Sequence, residues 1–107
     1  MDTLDWRKAE NKRLIDALLA LKNRDEFERF LRDLLTPEEI GEFAMRFQVA
    51  ELLGADVPYS QIQKLTGLSS TTIARVSKWL KGEGGGYRTV IKHLHSHTKP
   101  SRGRALR

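Results

Sequence analysis

An all-α fold of about six helices is what this sequence predicts, and three observations carry the prediction. Apolar residues recur at helical spacing along most of the chain. No segment alternates apolar and polar residues as a half-buried strand would, and β-branched residues are sparse before residue 71. Helix start and stop signals also punctuate the pattern at short intervals, leaving only short connections.

The first helix is expected to start within residues 3–8, with Leu14, Ile15, Leu18 and Leu21 on one face. Asn23 suits the N-cap of a short second helix striped by Phe27, Phe30, Leu31 and Leu34. Asp25, Glu26 and Glu28 fall in its first turns, where the helix dipole favours acids. Thr36-Pro37-Glu38-Glu39 is the clearest start: a capping hydroxyl, a proline at the first helical position and a glutamate that completes a capping box. The third helix then runs to about Leu53, striped by Ile40, Phe43, Ala44, Phe47, Ala50 and Leu53, with Gly54 as its expected C-terminal cap. Pro58 is the expected first residue of a fourth helix, about 58–66, which turns at Gly67. Ser69 or Ser70 caps a fifth, about 70–81. Gly82, Gly84, Gly85 and Gly86 interrupt the chain, and a short sixth helix follows from Tyr87 to about Leu94. Residues 1–95 thus read as one helical domain, and 96–107 as a basic, disordered tail.

Residues 58–81 form the motif that bears on function. A short helix, a sharp turn through Gly67 and a second helix make a helix-turn-helix. Gly67 can adopt the left-handed backbone the turn needs. Ile62, Leu65, Leu68, Ile73, Val76 and Leu80 supply buried faces that fix the angle between the helices. Ser69, Ser70, Thr71, Thr72, Arg75 and Lys78 are left for the outer face of the second helix, small hydroxyls first and cations later. Base edges admit small polar groups at the start of a recognition helix, and phosphates attract cations further along. Thr71 and Thr72 can bond base edges, Arg75 can fork onto guanine or phosphate, and Gln61 and Lys64 would face the flanking backbone.

Charge supports that reading. The chain of 107 residues carries a net +5, divided unevenly. Residues 1–54 hold nine Lys and Arg against twelve Asp and Glu, whereas residues 55–107 hold ten against only Asp56 and Glu83. A basic half is the electrostatic footprint of a nucleic-acid binder, because neutralising phosphates releases condensed counterions. An alternative is a protein-interaction module whose basic half meets an acidic partner, but such a surface has no need of small hydroxyls. RNA binding is disfavoured because no sheet presents an aromatic pair for stacking bases.

Several other classes are excluded or disfavoured. Without cysteine there are no disulfides, thiolate sites or cysteine nucleophiles. The longest apolar run, Ala17 to Leu21, is far short of the roughly 20 residues of a membrane span. Acids at Asp2 and Asp5 do not fit a secretory signal, so a cytoplasmic location is expected. His93, His95 and His97 alternate, which converges on an ion only in an extended segment, and no acid lies near them; no metal is expected. Glu38-Glu39 reads as a pair of helix-start acids. The glycine run at 82–86 follows a helix rather than a strand and lacks the Lys-Ser or Lys-Thr pair of a phosphate loop. No catalytic residues are expected, and no enzyme.

Four stretches together resemble a known family: Leu35-Thr36-Pro37-Glu38-Glu39, Arg46-Phe-Gln-Val-Ala-Glu-Leu-Leu53, Ser70-Thr-Thr-Ile-Ala-Arg-Val76 and Gly84-Gly85-Gly86-Tyr87. Over about residues 22–92 the chain resembles the Trp repressor-like family, specifically its YerC/YecD branch. That resemblance implies an intertwined homodimer that binds operator DNA in successive major grooves, and hence a transcriptional repressor. Independently, Leu14, Ile15, Leu18, Leu19, Leu21, Phe27 and Phe30 offer more apolar surface than so small a core can bury, which favours a dimer. The resemblance also places Arg46 and Arg75 at the family's tryptophan-holding arginines, with Leu35 and Thr36 at further pocket positions. Val76, however, stands where the tryptophan-responsive repressor has glycine, and Trp79 where it has serine. Both are larger and intrude on an indole, so an effector pocket over Arg46, Arg75 and Trp79 is not expected to need tryptophan, and no cofactor is expected.

Overall fold

The structure is a computed structural model that describes residues 4–98, among which there are six helices and no strand. The helices are α1 (Ala9–Ala20), α2 (Arg24–Leu34), α3 (Pro37–Gly54), α4 (Tyr59–Thr66), α5 (Ser70–Lys81) and α6 (Gly86–Thr98). Two compact units emerge, divided between Ile40 and Gly41.

In the first unit local polar devices mark the helix starts and link neighbouring side chains. Arg7 bonds the Asp5 carboxylate through its guanidinium and, less strongly, its backbone N–H, which holds that carboxyl below its ordinary range. Asn23 accepts the Glu26 N–H at 3.0 Å and starts α2 as expected, while Glu26 reaches back to the Lys22 N–H at 2.8 Å. Thr36 and Glu39 form the reciprocal capping box at the head of α3, at 3.1 and 2.9 Å. Arg24–Glu28 and Arg29–Asp25 pair along α2 at i,i+4 spacing. Neither α1 nor α2 contains a buried residue.

The second unit holds the core. Val49 and Ala50 of α3, Ile62 of α4, and Ile73 and Val76 of α5 are buried together, flanked by half-buried Leu52, Leu53, Val57, Leu68, Tyr87 and Ile91. Burying a valine or isoleucine side chain stabilises by about 1.5–3 kcal/mol, so Val49, Ile62, Ile73 and Val76, together with the smaller Ala50, hold the helix-turn-helix against α3. Phe47 and Tyr87 add a tilted ring pair with centroids 6.4 Å apart.

Several expectations change in detail. Leu65, expected in the core, is 59% exposed. Ile62 and Thr66 share the inner face of α4, and Leu65 stands about 60° round from Ile62 at the helical 100° per residue. Gly54 is the last helical residue of α3 rather than its left-handed cap; Asp56, at φ 63°, takes that conformation. The Val57 N–H bonds Leu52 O and the Asp56 N–H bonds Leu53 O, both at 3.0 Å, which is a Schellman closure. Pro58 is the extended N-cap of α4, not its first residue. Helix α6 continues past Leu94 to Thr98, since neither glycine nor proline interrupts residues 87–98. The expected tail lies outside the described residues from 99 onward. Among the described residues, no helix is long and apolar enough to cross a membrane.

Candidate nucleic-acid interface

Helix α4 ends where Gly67 turns left-handed, at φ 76°, and its N–H closes on Gln63 O at 2.8 Å. Thr66, which sequence reasoning passed over, ties the turn from inside. Its Oγ1 donates to Ile62 O at 2.7 Å and accepts from the Leu68 N–H at 3.2 Å. Its signal was available: a threonine four residues after a core isoleucine can bond back to that carbonyl. Ser69 then caps α5, its Oγ accepting from the Thr72 N–H at 3.2 Å. The Ser69 and Thr72 hydroxyls also lie 3.1 Å apart.

This geometry sorts α5 into two faces. Ile73, Val76 and Ser77 are buried; Ser70, Thr71, Arg75 and Lys78 are exposed, and Thr72 is half-buried. Thr71, Arg75 and Lys78 follow at i, i+4 and i+7 and share one exposed face. Gln61 and Lys64 of α4, and Ser69 at the turn, are exposed as well. Ser77 is the residue on the inner face that its polarity disguised.

Five of the nine cations in residues 1–54 are ion-paired, and none of those on α4 and α5 is, among the described residues. Arg7, Lys8, Arg13, Arg24 and Arg29 all pair with carboxylates. Among the described residues, Lys64, Arg75, Lys78 and Lys81 sit in no ion pair. An exposed row of uncompensated cations, preceded by small hydroxyls, is shaped for a polyanion that also presents hydrogen-bonding edges.

Of the three residues at the expected effector pocket, Trp79 and Arg46 each have a described setting. Trp79 is 58% exposed and lines an open apolar cavity of about 530 Å³ with Phe47, Tyr87, Val90 and the glycines at 84, 85 and 86. Neither Arg46 nor Arg75 lines it. The Arg46 guanidinium instead lies over the Phe43 ring, 5.5 Å from its centroid.

Fold and surface together define a helix-turn-helix protein. A family model described as Trp repressor protein matches residues 9–95, and the chain belongs to the Trp repressor family, a regulatory DNA-binding family. It is 35% identical to YerC, an uncharacterized protein of Bacillus subtilis, over 82% of this chain and 85% of that one. It is 38% identical to a Trp operon repressor homolog of Actinobacillus succinogenes, over 63% of this chain and 67% of that one. The crystal structure of a TrpR-like protein from Eubacterium eligens superposes with a TM-score of 0.77 at 35% identity, covering 84% of this chain and 93% of the other.

Proposed function

We propose that this chain is a sequence-specific transcriptional regulator, acting as a repressor, that reads the DNA major groove with α5. The observation that carries the reading is the exposed, unpaired face of Thr71, Arg75 and Lys78, backed by Gln61 and Lys64 of α4 and opened by Ser69, Ser70 and Thr72. Thr71 and Thr72 meet base edges, Arg75 forks onto guanine or phosphate, and Lys78 follows the backbone. The active species is a homodimer, with two recognition helices about 34 Å apart on a pseudo-palindromic site. Its support is the lack of any buried residue in α1 and α2. Binding needs no tryptophan, since bulky Val76 and Trp79 stand where the tryptophan-responsive repressor keeps small residues.

Fluorescence anisotropy with duplex DNA across a salt series tests this. Wild type is expected to bind and to weaken steeply with salt, and added L-tryptophan is expected to leave the curve in place. The double variant Arg75→Ala/Lys78→Ala should lose affinity, with the log–log salt slope falling by about 0.9 for each phosphate contact removed. Absent binding at low salt, or an unchanged double variant, would remove α5 as the reader and favour an acidic protein partner. A curve that shifts with tryptophan would overturn the effector-free reading alone.

A further inference from the structure

Helix α5 ends without the closure that α3 and α4 possess. Its C-cap, Gly82, is extended at φ −73°, ψ 177°, where α3 has left-handed Asp56 and α4 has left-handed Gly67. The Gly82 N–H reaches Trp79 O at 3.2 Å, and the carbonyls beyond it have no donor within their own helix. Arg88, in the first turn of α6, supplies one. Its Nη1 donates to Leu80 O and, at 2.9 Å, to Gly82 O. A guanidinium suits this place twice over, because its bonds are charge-assisted and it faces the negative end of the α5 dipole. Gly85 makes room for it: at φ +70° the residue is left-handed, and a Cβ there would stand 3.2 Å from Arg88 Nη2. Among the described residues, Arg88 has no carboxylate partner to draw it away. It is exposed, so its role does not come from filling the core.

We propose that Arg88 is a positioning residue for recognition: it clamps the last turn of α5, which carries Lys78 and Lys81, so that Arg75 and Lys78 meet DNA in one fixed register. This rests on the DNA-binding reading of α5. Arg88 acts through the helix end and does not itself touch DNA.

The test uses Arg88→Gln and Arg88→Lys in the full chain, each examined well below its unfolding midpoint. Three quantities are read: affinity for a duplex selected by wild type, affinity for a mixed-sequence duplex with its salt slope, and amide hydrogen exchange at residues 79–85 without DNA. Arg88→Gln is expected to lose about tenfold on the selected duplex, the scale of a hydrogen bond to a charged group. It should lose little on the mixed duplex, keep the wild-type salt slope, and exchange faster at the α5 end. Arg88→Lys, which can still bond terminal carbonyls, should recover part of both effects. A slope lower by about 0.9 would overturn positioning in favour of direct phosphate contact. A lower melting temperature with unchanged affinity for the selected duplex would overturn it in favour of a merely structural bond. Wild type failing to bind any duplex would overturn the DNA reading itself. Unchanged exchange at the α5 end in Arg88→Gln would remove the clamp whatever happens with DNA.

Discussion

Gly67 serves the motif through its backbone alone. Its φ of 76° is costly for any residue with a Cβ, yet a Cβ built there meets nothing within 4 Å. Gly67→Ala should therefore cost only the left-handed penalty, about 1–2 kcal/mol, with DNA affinity of the folded protein unchanged. Urea unfolding at constant m-value checks the first part and anisotropy the second. A loss well above that range would mean the turn is more crowded than it is here. Gly67 was legible in the sequence because a sharp turn between two apolar patterns has few other solutions. Ser77, Leu65 and Arg88 were not, for three different reasons. Ser77 is polar yet buried, Leu65 is apolar yet exposed, and Arg88 acts on carbonyls six and eight residues earlier. Hydropathy periodicity describes side-chain polarity along one helix, so a bond from α6 to the backbone of α5 leaves no trace in it.

At the scale of elements, helix starts were easier to read than helix ends. Asn23, the Thr36–Glu39 box and Ser69 cap α2, α3 and α5 with their own side chains, so residue identity announces each of them. Ends are closed by backbone conformation, which several residues can adopt. At α3 the closure passes over Gly54 and falls on Asp56, because the Val57 N–H and the Asp56 N–H find Leu52 O and Leu53 O from that register. The two assignments predict opposite signs for one substitution. A left-handed cap glycine would make Gly54→Ala destabilising; a helical Gly54 with open space around its Cβ makes it stabilising, by about 0.5–1 kcal/mol. Thermal unfolding of Gly54→Ala decides, and a lowered midpoint would restore Gly54 as the cap.

For the whole molecule, the division of charge was visible at once, and the structure adds how each half uses its cations. Five cations of the first half, Arg7, Lys8, Arg13, Arg24 and Arg29, are paired with carboxylates at the surface, whereas the cations of α4 and α5 sit in no ion pair among the described residues and remain available to a ligand. The buried apolar residues, Val49, Ala50, Ile62, Ile73 and Val76, all lie in the second unit. Helices α1 and α2 contain no fully buried residue, and Leu19 is 77% exposed, with Leu14, Ile15, Phe27 and Leu34 also open. Exposed apolar surface of this extent on so small a chain is better covered than wet. Which surface covers it lies beyond any single-chain periodicity, since self-complementarity is a property of two copies. The expected cover is a second copy, giving a particle of twice 12.3 kDa in sedimentation equilibrium and a melting temperature that rises with protein concentration. Leu19→Glu should shift the equilibrium toward monomer by placing a charge in the apolar contact. It should also weaken binding to a two-half-site duplex far more than to a single half-site, because only the dimer makes the second contact intramolecular. A monomeric mass at all concentrations would refute the dimer, and equal losses on both duplexes would place Leu19 outside the surface that joins the two recognition helices.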